Sequence, residues 1–83
     1  MDPKEETQAT IEARLKILYK SLVSEENSVQ YYRTLLENTP EDSEEKIGER
    51  RMYSDLQDEE RKHVQVIQGF IDHWEKELKN ASK

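Results

Sequence analysis

NTPEDSEE, residues 38–45, divides the chain in two. Pro3 and Pro40 lie outside the two long segments on either side of it, in which apolar residues recur in alternating steps of three and four. That spacing predicts two helices, 5–38 and 43–80, joined by a connection at 39–43. Within the connection, Thr39 and Ser43 are both suited to cap the second helix. Pro40 suits a turn or a first helical position, and the acidic residues favour a helix N-terminus. A connection this short makes its helices antiparallel neighbours. The expected fold is all-α, a two-helix antiparallel hairpin forming one domain over residues 1–83.

Composition narrows what such a hairpin can do. With 33% hydrophobic and 39% charged residues, bulk composition alone falls near the disordered class, so helical periodicity must carry the fold. A chain of 83 residues buries little apolar surface alone, and a partner is expected. The net charge of -6 argues against nucleic acid and anionic membranes as partners and suits cations. No cysteine is present, which removes disulfides, iron–sulfur clusters and thiolate zinc sites. There is no basic segment ahead of an apolar core and no apolar run of membrane-span length, so a cytoplasmic location is expected. A glycine-rich phosphate loop and a nucleophile–histidine–carboxylate arrangement are also missing.

The apolar faces have three interruptions. In the first helix Ile11, Leu15, Leu18, Leu22, Val29, Tyr32 and Leu36 form a seam broken at Glu25. In the second, Tyr53, Leu56, Ile67, Phe70 and Trp74 form one broken at Glu60 and His63, within DEERKH at 58–63. A carboxylate on such a seam costs several kcal/mol unless it is paired, protonated or bound to a cation. Glu60 and His63, three apart, project to one side of a helix and can share a metal ion. Glu25 can join them from the neighbouring helix. Two glutamates and a histidine are half of the donor set of di-iron and di-manganese carboxylate bundles, which a homodimer would complete.

Plainer readings stand beside this one. Glu25 also fits the edge of the seam, with its stem packed and its carboxylate in water. His63 alone fits a partly buried core histidine. Together the polar residues also fit register devices in a structural or adaptor hairpin that binds no metal. His73 belongs at the surface or rim, and Tyr19, Tyr31 and Tyr53 are packing residues.

SEENSVQYY, with Glu25 seven residues before Tyr32, and DEERKH, with Glu60 and His63, resemble the ferritin-like superfamily. The similarity is to its rubrerythrin-like branch, and most of all to the half-length encapsulated ferritins. The resemblance implies that the hairpin dimerises into a ferritin-like four-helix bundle with a dinuclear iron site between two subunits. Glu25, Glu60 and His63 would be the metal ligands, with two iron ions per dimer and Tyr32 as a redox-active neighbour. Manganese or zinc would suit the same donors. The implied activity is that of an oxidoreductase acting on metal ions, a ferroxidase using oxygen or peroxide in iron storage or detoxification. A rubrerythrin-like peroxidase at the same site is the variant. Implied partners are a homodimer or higher even-numbered homo-oligomer and an encapsulin-type shell, which would place the protein inside a compartment.

The sequence departs from those relatives in three ways. Ser24 and Asn27 stand where the encapsulated ferritins carry acidic residues implicated in metal uptake, leaving Glu26 as the nearby substitute. HWEKELKNASK holds nothing like their shell-targeting peptide, and no cysteine is present for the second iron centre of rubrerythrins. The helix bounds also leave Glu25 and Glu60 mismatched in height by roughly 6 Å at 1.5 Å per residue, which an uneven connection must absorb; counting the turns before Gly48 as part of the connection is one way to bring them level.

Overall fold

The computed structural model describes residues 7–81. Two helices, α1 (Gln8–Asn38) and α2 (Glu44–Ala81), account for nearly all of them. The expected start of the first helix at residue 5 lies outside the described residues. As described, α1 begins at Gln8, because Thr7 is extended and its hydroxyl accepts the Thr10 N–H, while Thr10 Oγ1 accepts the Thr7 N–H at 2.9 Å. This reciprocal cap satisfies two backbone donors that a helix start leaves open.

The two candidate caps in the connection divide the work. Ser43 caps α2: its Oγ accepts the Lys46 N–H at 3.2 Å, and its carbonyl accepts the Ile47 N–H. Glu44 and Glu45 then sit in the first turn, where the helix dipole favours negative charge. Thr39 instead closes α1, its hydroxyl donating to Leu35 O at 2.7 Å and its N–H to Leu36 O. Arg50 ties the two ends together. Its guanidinium donates to the Leu36 and Thr39 carbonyls and pairs with Glu41 at 3.1 Å.

That tie resolves the height mismatch. The C-terminus of α1 meets α2 at Arg50, not at Glu44, so the first six residues of α2, about 9 Å of helix, project beyond α1. Counted from this contact, Glu25 lies eleven residues back from Leu36 and Glu60 ten residues on from Arg50, and the two come level.

Ile11, Leu15 and Ile71 are the buried apolar residues, with Leu18, Leu22, Ile67, Trp74 and Leu78 packed around them. The core therefore lies at the end of the hairpin away from the connection. Along α1 every residue of the predicted seam is buried or half-buried. Along α2 the packed stripe differs from the expectation: Tyr53, Gln57, Glu60, Val64, Ile67, Ile71, Trp74 and Leu78 are buried or half-buried. Leu56 and Phe70, placed on the seam from sequence, are 38% and 52% exposed.

The reason is geometric. Tyr53, Glu60, Ile67 and Trp74 belong to two stripes at once, one continuing through positions 57, 64, 71 and 78, the other through 56, 63 and 70. The first faces α1; the second forms an open strip beside it. Leu56 and Phe70 lie on that open strip, and Phe70 lines a groove with Ile17, Leu18, Trp74 and Arg14. The Arg14 guanidinium sits 5.0 Å above the Trp74 ring.

The molecule is a rod of 63 × 18 × 14 Å. Its radius of gyration, 18.6 Å, compares with about 12 Å for a compact domain of this length. No helix among the described residues is long and apolar enough to cross a membrane.

Candidate metal centre

DEERKH folds into three successive acid–base pairs, each three residues apart. Asp58 faces Arg61 at 3.7 Å and Glu59 faces Lys62 at 3.9 Å, all four side chains well exposed. The third pair, Glu60 with His63, falls on the side turned toward α1. The basic residues flanking the site are thus engaged elsewhere, and among the described residues no lysine or arginine pairs with Glu25 or Glu60.

Glu25, Glu60 and His63 come together. One ligand atom from each lies within 4.8 Å of the others. His63 Nδ1 stands 3.5 Å from Glu25 Oε2 and 3.8 Å from Glu60 Oε1, longer than a sound hydrogen bond. Two donors on one first-row ion, each about 2.1 Å from it, stand about 3 to 4 Å apart, so this spacing suits a shared cation after a small contraction. The carboxylates are half-buried, while His63, placed on the packed seam from sequence, is 54% exposed. It belongs to the open strip of α2. The cluster therefore straddles the packed seam and the open face.

One atom tests the fit to a cation. Glu25 Oε2 is buried and accepts no hydrogen bond. A buried carboxylate oxygen normally finds a donor, and one without any carries a desolvation cost that a bound cation would offset. The donor set, two carboxylates and an imidazole, is one that iron, manganese and zinc accept.

Tyr32 is less closely tied to the cluster. It lies two turns from Glu25, about 10 Å along the helix axis, and its ring packs edge-on against Tyr31 at 5.7 Å between centroids. Glu26 is exposed and lines a groove with Val29, Gln30, Arg61, Val64 and Gln65. Tyr53 donates to Glu49 at 2.6 Å. That bond holds the Glu49 carboxyl below its usual range and raises the Tyr53 phenol above its own. His73 is exposed and stacks edge-on against Trp74 at 4.8 Å.

Sequence reasoning missed Gln57. It is 6% exposed, and its Nε2 donates across the helices to the Val29 carbonyl at 3.2 Å. The signal was available in the full length of α2: positions 57, 64, 71 and 78 hold Gln, Val, Ile and Leu, three apolar residues in four. Positions 56, 63, 70 and 77 hold Leu, His, Phe and Glu. Following the stripes to Leu78 selects the first as the buried one.

Comparison of the chain with protein-family models, curated proteins and solved structures gives no match. The ferritin-like resemblance rests on the residues themselves.

Proposed function

We propose that this hairpin is half of a ferritin-like bundle that pairs with a second copy and oxidises ferrous iron at Glu25, Glu60 and His63. The observation that carries this reading is the convergence of those three side chains at the edge of an open apolar strip, with Glu25 Oε2 buried and unbonded. Ferrous iron held there would supply the electrons, and dioxygen or peroxide would take them. Glu25 and Glu60 contribute the negative charge that draws in the cation, and a neutral His63 adds a nitrogen donor. The half-buried carboxylates limit access of water to one side.

The open strip supports pairing through the same face. Leu56 and Phe70, on the open strip of α2, and Ile17 of α1, which lines a groove with Phe70, are exposed. The accessible surface, 6547 Å², exceeds the roughly 5200 Å² of a compact monomer of this mass. Each protomer would place its own Glu-Glu-His set at the contact, giving the four carboxylates and two imidazoles of a dinuclear site. Storage of the ferric product would call for a compartment outside the hairpin, such as an encapsulin-type shell.

The test is native mass spectrometry during anaerobic titration with ferrous iron. Dimers, or multiples of them, carrying two irons per pair of chains are expected, with none taken up by Glu60→Ala. A protein that stays metal-free at every iron level would instead be a structural hairpin. The rate of iron oxidation by oxygen against that by peroxide then separates the ferroxidase from the peroxidase form.

A further inference from the structure

We infer that Gln57 is a positioning residue for the Glu25–Glu60–His63 cluster, fixing how far α2 slides along α1; this rests on the metal reading above. Gln57 is the one polar residue among those described that is buried in the seam. Its carboxamide orientation follows from its partner: a carbonyl oxygen only accepts, so the nitrogen faces Val29 O, which has a second lone pair beyond its helical bond.

The placement is specific to the site. Val29 is one turn from Glu25, and Gln57 is nearly one turn from Glu60, both toward the connection. The bond therefore crosses between the helices about 5 Å from the cluster along the axis. The apolar seam residues near it, Val29 and Val64, are half-buried, and apolar attraction is non-directional and tolerates sliding. A slide of one residue moves Glu60 and His63 together about 1.5 Å past Glu25, enough to break the 3.5 Å approach of His63 to Glu25 across the helices. Arg50 holds the helices at the connection, ten residues from Glu60. Gln57 repeats that restraint beside the ligands.

Gln57→Met is the sharpest test, because it keeps the length and volume of the side chain and removes only the bond. Gln57→Leu is the second variant. Each is compared with the wild type and with Ile71→Val, a change in the apolar core eleven residues from Glu60. Cobalt(II) is the probe, read by its visible absorption at matched fractions of folded protein. The expected result is cobalt binding weaker by about 10- to 100-fold in both Gln57 variants, the usual loss when a group that orients a metal ligand is removed. Their spectra should shift while their thermal midpoints hold or rise, and Ile71→Val should bind as the wild type does. Wild-type affinity and spectrum in Gln57→Met would overturn the inference and leave the metal reading intact. Equal weakening in Ile71→Val would overturn it as well, since general loosening would then explain the effect. Failure of the wild type to bind cobalt would sink the metal reading and this inference with it.

Discussion

The two halves of the hairpin are held by different physics. Away from the connection, Ile11, Leu15 and Ile71 are buried among Leu18, Leu22, Ile67, Trp74 and Leu78. Toward the connection the same seam carries Glu25, Gln57, Glu60 and Arg50, and its cross-helix contacts are bonds to backbone carbonyls and a cluster of ligand atoms. The apolar half supplies the free energy, and the polar half supplies direction. Leu and Ile contacts accept many small displacements, whereas an amide or guanidinium on a carbonyl accepts few. The difference teaches that stability and placement of the site are separable in this molecule, and substitutions should separate them.

The largest effect is expected in the apolar half. Ile71→Ala should cost about 2 to 4 kcal/mol, by lost transfer energy plus a cavity, measured by urea unfolding. A loss no greater than that of an exposed residue such as Val23 would break the contrast. Next comes the tie at the connection: Arg50→Ala should cost about 2 kcal/mol, because it removes charge-assisted bonds to two helix-end carbonyls, again read in urea. Glu25→Leu should act in the opposite direction. It should stabilise the metal-free protein by about 1 kcal/mol, as an unbonded carboxylate gives way to an apolar side chain, while abolishing uptake of ferrous iron. Destabilisation of the metal-free protein would show that Glu25 is needed for packing.

The smallest effect concerns Tyr53 and Glu49. The Tyr53 hydroxyl lowers the Glu49 carboxyl, so this pair contributes stability above the unfolded carboxylate range, lost as pH falls through the lowered folded value. At the alkaline end the sign reverses. The raised Tyr53 phenol contributes below the ordinary phenol range, and that contribution is lost as pH rises through its folded value. Tyr53→Phe should flatten both limbs and return the Glu49 side-chain NMR titration toward the usual carboxylate range. An unchanged Glu49 titration would show that the bond does not form in solution.

Much of the fold was legible because α1 offers one apolar stripe, and every residue placed on it is buried or half-buried. The α2 stripe was read a step off at Leu56, His63 and Phe70, since each has a neighbour, Gln57, Val64 or Ile71, that fits the same period. Local spacing cannot choose between two stripes sharing four positions; packing against α1 does. Glu25, Glu60 and His63 do converge, because Glu60 lies on both stripes and His63 stays within reach from the open one. Tyr32, by contrast, makes no bond to the cluster. Gln57 carries no apolar or ligand signal of its own, and its bond to Val29 depends on how α2 packs against α1. The overhang at the start of α2 appeared in the sequence as a mismatch of level, and only the Arg50 contact assigned it to those first turns.

The Arg50 tie also sets an order of assembly. Its bond to Leu36 spans 14 residues of chain, the Gln57 bond to Val29 spans 28, and the apolar cluster joins residues from opposite ends of the hairpin. Closing a longer loop costs more chain entropy, so the hairpin is predicted to zip from the connection outward, with its largest store of apolar burial formed last. Folding-rate analysis of Arg50→Ala and Ile71→Ala would then show the first mainly slowing folding and the second mainly hastening unfolding. The reverse pattern would mean that the distant ends collapse first and the connection forms around them.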